Sequence, residues 1–265
     1  MRLIRLVPGG LLCALISVVH AELAGGINAF TAGDYGLALQ EFQAPAQAGD
    51  AAAQYYLGVL HDQGWGTLAD QAIARQWFEK SAAQGFAKAQ HNLAVMYQTG
   101  EGASRDPALA RQWFEKAARH DSAKSAQQLG LLYFRGDGVT RDFAAAHDWW
   151  QRAFAGGEAD AGYNMGLLFL RGLGVDRDPS KAAIWWEDAA RQGSRLAQNA
   201  LGSAYQRGAG VPVDQIKALA WFRVAAAGGL PVAAQNATLL ASQLDETQND
   251  AARALAAQFS SVQPP

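Results

Sequence analysis

The chain has 265 residues, half of them apolar, and a formal net charge of −2. That is more apolar material than one small compact domain needs. The charge balance supplies no basic field for a nucleic-acid partner, and no tract is biased enough in composition to mean disorder.

Residues 1–21 read as an export leader. Arg2 and Arg5 form a basic start, LLCALISVV (11–19) is a short apolar run, and Val19-His20-Ala21 suits a signal peptidase. The run is shorter than the roughly 20 residues that cross a bilayer, so an uncleaved anchor is disfavoured. Cys13 is the only cysteine and is preceded by Gly10-Leu11-Leu12, which is no lipobox. Cleavage near Ala21 therefore leaves a mature chain with no cysteine and no need of disulfides. It also removes two arginines and no acid, leaving 20 basic against 24 acidic residues, a net charge of −4. The expected location is the periplasm, or outside the cell, and the mature chain is not expected to be membrane-embedded.

Residues 22–52 hold a half-matched copy of a unit that recurs through the middle of the chain. Phe42 falls in register with Phe78 and Gly49 with Gly85, and Pro45 lies where it should bend or shorten a helix. From residue 53 to 232 a period of 36 residues takes over. Trp77, Trp113, Trp149, Trp185 and Trp221 keep it without an insertion. Gly64, Gly100, Gly136, Gly172 and Gly208 keep it too, as do Gly66, Gly102, Gly138, Gly174 and Gly210 two residues on. A fixed period of this length means a helical repeat array.

Each copy reads as two helices, A then B. Ala89, Leu93, Met96 and Tyr97 give helix A an apolar stripe, and Ala74, Trp77, Phe78 and Ser81 do so for helix B. Asp70, Asp106, Asp142, Asp178 and Asp214 precede helix B, with Pro107 and Pro179 next to two of them. An Asp cap followed by Pro is a helix start, so these acids are expected to be caps and not catalytic or metal-binding groups. Gly85, Gly157, Gly193 and Gly229 suit left-handed ends of helix B, and Asp121 replaces that glycine in the second copy, where a looser corner is expected. Gly58, Ala94, Gly130, Gly166 and Gly202 lie inside helix A, where glycine costs about 1 kcal/mol of helix propensity. Close approach of a neighbouring helix is the expected compensation. The tryptophan column is expected to fill the space between repeats.

Residues 233–259 form C-terminal capping helices. VAAQNATLLASQL (232–244) starts like a sixth helix A but lacks the paired glycines, and Asp245 with Gln248 offers a capping box for a last helix. Residues 260–265 are a tail.

The stretch LGLLYFRGDGVTRD (129–142) and its counterparts resemble the Sel-one-like repeat (SLR) family, a 36-residue relative of the tetratricopeptide repeat. Residues 201–229 fit best, through Leu201, Gly202, Tyr205, Gly208, Gly210, Val211, Asp214, Lys217, Ala218, Trp221 and Gly229. The half-copy at 22–52 looks closer to a tetratricopeptide repeat. His61, where other copies have Tyr or Phe, and Phe154, where they have Ala, depart from the pattern. The resemblance implies an all-α fold: a right-handed superhelical solenoid of antiparallel helix pairs, five repeats plus terminal caps, with helix A lining a concave face. It also implies a protein-interaction scaffold or adaptor, and exported bacterial members are linked to envelope assembly, signalling control or host contact.

The residues supply no catalytic constellation. Ser-x-x-Lys, His-Glu-x-x-His, Gly-x-Ser-x-Gly and a phosphate loop are all missing. His61, His91, His120 and His147 lie in separate repeats at unrelated register. No enzyme activity, cofactor or metal is expected. Arg135-Gly136-Asp137 is no adhesion signal or ion loop: Arg-Gly recurs at 171–172 and 207–208, followed by Leu and Ala, so it is the turn between helices A and B.

Placed by analogy with tetratricopeptide repeats, the concave positions are Tyr55, Val59 and Asp62, then His91, Val95 and Gln98. The third copy offers Gln127, Leu131, Phe134 and Arg135, the fourth Tyr163, Leu167, Leu170 and Arg171, the fifth Asn199, Ser203, Gln206 and Arg207. The partner-binding residues expected from these are Tyr55, His91, Gln127, Phe134, Arg135, Tyr163, Leu170, Arg171, Asn199 and Arg207, where apolar anchors and arginines mix as at interfaces. Packing of Phe134 and Leu170 against a neighbouring helix is the alternative. The expected function is a monomeric, non-catalytic scaffold of the cell envelope that holds a partner protein or peptide in this groove. The alternatives are a secreted host-directed factor or, less favoured, a β-lactam or cell-wall hydrolase.

Overall fold

The computed structural model describes the backbone of residues 9–261 and the side chains of residues 21–261. The basic start of the predicted leader and the end of the predicted tail lie outside the described residues. All regular structure among the described residues is helical. The chain divides into two compact units, one ending at Ser122 and one beginning at Ala123.

The first unit holds α1 (Gly9–Ala32), α2 (Tyr35–Gln47), α3 (Ala51–Gln63), α4 (Gln71–Ala83), α5 (Ala87–Thr99) and α6 (Pro107–Arg119). The second holds α7 (Ala123–Arg135), α8 (Phe143–Ala155), α9 (Ala159–Arg171), α10 (Pro179–Arg191), α11 (Arg195–Arg207), α12 (Gln215–Ala227), α13 (Pro231–Ala241) and α14 (Glu246–Ser261). Within each unit the helices pack as successive pairs, the arrangement expected of a helical solenoid. The odd-numbered helices α3 to α11 are the A helices, and α4 to α12 are the B helices. Each is 13 residues long. The position of the predicted cleavage near Ala21 falls inside α1.

The aspartate column starts every B helix. Asp70 Oδ1 accepts from the Ile73 N–H at 2.9 Å, and Asp106, Asp142, Asp178 and Asp214 repeat this bond at 2.9–3.0 Å. Pro107 and Pro179 sit in the first turn, where no N–H is needed. The predicted capping box also forms: Asp245 and Gln248 exchange backbone-to-side-chain bonds at 2.8 and 3.1 Å at the start of α14. Asp121 takes φ +58°, the only non-glycine with positive φ among the described residues. Pro45 does not shorten its helix. It lies in the last turn of α2, which has the same 13 residues as the repeat helices.

The core is one buried ring per repeat, but at the position after the tryptophan column. Phe42, Phe78, Phe114, Trp150, Trp186 and Phe222 are all at most 4% exposed. The column itself is half-buried apart from Trp221. Its members pack on buried clusters that join the preceding B-type helix to their own A helix, Trp77 on the cluster of Phe42 and Leu57, Trp113 on that of Phe78 and Leu93. Lys80, Lys116 and Arg152 lie over Trp77, Trp113 and Trp149 at 4.1, 3.7 and 4.7 Å. So the column does fill space between repeats, with one face left for a cation.

The glycines inside helix A make room for the buried rings. A Cβ on Gly58, Gly130, Gly166 or Gly202 would stand 2.2–2.7 Å from a ring atom of Phe78, Trp150, Trp186 or Phe222. Gly26 does the same for Phe42, at 2.6 Å. It stands four residues closer to its ring than Gly58 does to Phe78, because the α1–α2 connection is shorter.

His61 replaces a residue that is Tyr97, Tyr133, Phe169 and Tyr205 in the other copies. Its Nδ1 is buried without a partner, and burial holds the imidazole below its ordinary value, with Asp70 opposing in part. The unfolded chain takes up a proton near pH 6.5 that the folded chain resists, so stability is full above about pH 7 and falls as the pH drops below that value. His61→Tyr is expected to flatten this fall, read as urea midpoints at about pH 7.5 and 5.5. Equal slopes for both proteins would remove His61 as the cause.

Candidate functional site

The ten candidate residues meet three fates: four pack inward, four line one cleft, and Arg135 and Arg171 stand exposed outside both. In the first unit, Tyr55 on α3 is a packing residue. Its ring lies 5.2 Å from Phe86, 6.1 Å from Phe78 and 5.3 Å from Tyr56. Burial, then the neighbouring Tyr56, push its hydroxyl above the ordinary value. His91 on α5 is half-buried 5.5 Å from Phe114.

In the second unit, α7 contributes Gln127, Phe134 and Arg135. The Gln127 carbonyl accepts from Trp150 Nε1 at 3.3 Å, and its amide oxygen is buried with no partner. Phe134 lies between Trp150 at 5.5 Å and Phe143 at 5.4 Å, so its ring braces α7 against α8. Arg135 is exposed.

Of the remaining candidates, all but Arg171 come together. Tyr163, Leu167 and Leu170 on α9 face Asn199, Ser203 and Arg207 on α11 across a cleft of about 330 Å³. Its floor is Trp186, Ala200 and Ala204, and Leu196 and Val232 close one side. The helix spacing explains this set: Tyr163, Leu167 and Leu170, at i, i+4 and i+7, share one face of α9, and Asn199, Ser203 and Arg207, at i, i+4 and i+8, share one face of α11.

Several bonds hold the cleft in shape. Trp186 Nε1 donates to the Tyr163 carbonyl at 3.1 Å, pinning the floor to α9. Asn236 Nδ2 on α13 donates to Asn199 Oδ1 at 2.9 Å, which leaves the Asn199 amide N–H groups to the cleft. Ser203 Oγ is turned back to the Asn199 carbonyl at 3.1 Å. Arg171, the last residue of α9, is exposed and does not line the cleft.

Sequence reasoning missed Leu196 and Val232. They stand 36 residues apart, where earlier copies have Lys88, Lys124 and Asp160. An apolar pair replacing charges in the last copy and in the helix after it was the available signal. Both remain solvent-accessible, at 39% and 45%. The cleft is therefore an apolar trough with a tyrosine, an asparagine and an arginine along it. Among the described residues no cluster of three His, Cys, Asp or Glu could hold a metal. No helix among them is long and apolar enough to cross a membrane.

Comparison with known proteins fits this architecture. The chain has no match among curated proteins. A Sel1 repeat protein of known structure from Oxalobacter formigenes is 35% identical over 78% of this chain and 86% of its own, with a TM-score of 0.74. A Sel1 repeat protein from Klebsiella pneumoniae is 26% identical over 77% of this chain and 99% of its own, with a TM-score of 0.48. An immunity protein from Pseudomonas aeruginosa is 19% identical over 85% of this chain and 74% of its own, with a TM-score of 0.46. Residues 51–86, 87–122, 123–158, 159–194 and 195–230 each match the Sel1 repeat. With five contiguous matches across most of its length, the chain belongs to the Sel1 repeat family.

Proposed function

We propose that the protein is a non-catalytic interaction scaffold of the bacterial envelope, holding a segment of a partner protein in the α9–α11–α13 cleft. The carrying observation is that Leu196 and Val232 stay exposed beside Leu170 while the buried rings form a complete core without them. Apolar side chains that the core does not use, next to free polar groups, describe an interface and not a packing defect. The absence of a nucleophile–base constellation from the sequence fits a binding role. The leader-like start supports export to the periplasm, where a chain without other cysteines meets no disulfide hazard.

A photo-crosslinking residue at Val232, activated in cells and read in the periplasmic fraction, is expected to capture one partner. The same residue at Ile184, exposed at 59% on α10, is expected to capture none. Equal products from both positions, or none from Val232, would refute the cleft as the binding site. Capture confined to the cytoplasm would refute the location.

A further inference from the structure

The arginines of the second unit divide sharply. Between residues 123 and 261 there are ten. Arg191 pairs with Glu187, and Arg253 with Asp250. Arg177 donates to the Leu170 carbonyl, Arg195 to that of Gly228, and Arg223 to Asn249. Arg141 and Arg152 lie against Phe143 and Trp149. The three left with no such contact among the described residues are Arg135, Arg171 and Arg207, the last residues of α7, α9 and α11.

A cation at a helix C-terminus is favoured by the helix dipole, but these helix ends do not require one. In the first unit α3 and α5 end at Gln63 and Thr99, before the same left-handed glycine. What distinguishes the second unit is the trough: Arg207 lines it, and Arg171 directly follows Leu170, which lines it. The chain as a whole is acidic, so an unpaired basic row beside an apolar cleft is local, not a consequence of composition.

We infer that the segment bound in this cleft is acidic and extended, with carboxylates on Arg171 and Arg207 and an apolar side chain between Leu170 and Val232. This rests on the cleft being the binding site. The arginines step from one A helix to the next, so the segment crosses α9 and α11 instead of lying along one of them. Packed helices stand about 8–10 Å apart. A polyproline-type chain covers that distance in three residues at about 3.1 Å each, and returns residues i and i+3 to the same side. Carboxylates three residues apart therefore match neighbouring arginines, and guanidinium groups suit them geometrically.

The test is fluorescence anisotropy of the purified protein with a labelled peptide of about eight residues, glutamate at every third position with leucine and proline between. The glutamate peptide is expected to bind at least about tenfold more tightly than its glutamine counterpart, and to weaken as salt rises from about 0.05 to 0.5 M. Arg171→Gln and Arg207→Gln are each expected to weaken the glutamate peptide about five- to tenfold and leave the glutamine peptide unchanged. Arg191→Gln, outside the cleft, is expected to change neither. Equal binding of both peptides would overturn the acidic class while leaving the cleft intact. No binding of either peptide, with crosslinking from Val232 still productive, would do the same. Failure of both experiments would remove the cleft as well.

Discussion

Gly166→Ala is expected to destabilise the protein by about 2–3 kcal/mol, although alanine is the better helix former by about 1 kcal/mol. The added Cβ would stand 2.2 Å from Trp186 Nε1 and 2.5 Å from its Cδ1. Trp186 is 4% exposed and bonded to the Tyr163 carbonyl, so the ring has little room to yield and loses that bond if it does. The comparison that isolates packing from propensity is Gly36→Ala in the first turn of α2. There the nearest atom to a new Cβ is 3.9 Å away, and a gain of a few tenths of a kcal/mol is expected. Urea midpoints of both variants against the parent decide it. A stabilised Gly166→Ala would mean that the ring shifts freely. Because Trp186 is also the floor of the cleft, Gly166→Ala is further expected to weaken partner capture from Val232, which Gly36→Ala leaves alone.

Ala94 shows why this cost is not absolute. It occupies the same register in the second copy, opposite a Phe114 that is fully buried. A methyl group and a ring coexist where the surrounding helices have been built around them from the start. Substitution into a site built for glycine gets no such adjustment, and close-packed interiors relax only in part.

The elements most legible in sequence were those where one residue satisfies one backbone demand. Asp106 followed by Pro107 marks a helix start whatever packs around it, because the free N–H groups are local. The same holds for Gly64 and Gly208, whose left-handed conformations close α3 and α11. The tryptophan column was less transparent. Its period fixed the repeat, yet the fully buried ring is the next residue, since Trp77 packs half-buried on the edge of the cluster around Phe42 and Leu57 while Phe78 is itself a member of the following buried cluster. The cleft was legible in part. The spacing along helix A identified one face, but the same face packs inward at Tyr55 and Phe134 and opens at Tyr163 and Asn199. What decides between these is the bulk of the neighbours. Phe86 and Phe78 crowd Tyr55, whereas Ala200 and Ala204 leave space before Tyr163. Neighbour bulk is a tertiary property that no single repeat encodes.

Phe154→Ala and Gly162→Gln are each expected to destabilise the protein, by about 2–3 and 1–3 kcal/mol, and to cancel in large part when combined. The reason is a clasp that three other copies carry. Gln54, Gln90 and Gln198 each reach back eight residues to donate Nε2 to the carbonyl of Ala46, Ala82 and Ala190, at 3.0, 3.1 and 3.2 Å. The amide thereby adds a second donor to a carbonyl in the last turn of the preceding helix, which also accepts from the N–H of Gly49, Gly85 or Gly193. In the register of Ala190 and Gln198 the preceding copy has Phe154 and Gly162. The ring occupies the room of the glutamine side chain: a Cβ on Gly162 would meet it at 2.7 Å, while Phe154 packs edge-on to Trp185 at 5.4 Å. Removing the ring alone leaves a cavity against Trp185, and adding the amide alone drives it into the ring. Made together, the two changes free the space and let the new amide reach the carbonyl of position 154. The second contact, 2.9 Å to Ala189 Cβ, does not forbid this, because Gln198 lies in the same register to the equally buried Ala225. The expected result is a double variant within about 1 kcal/mol of the parent, a coupling of about 2 kcal/mol or more in a double-mutant cycle of urea midpoints. Strict additivity would mean that Phe154 and the glutamine clasp are unrelated solutions, and that the departure of this copy from the others has another cause.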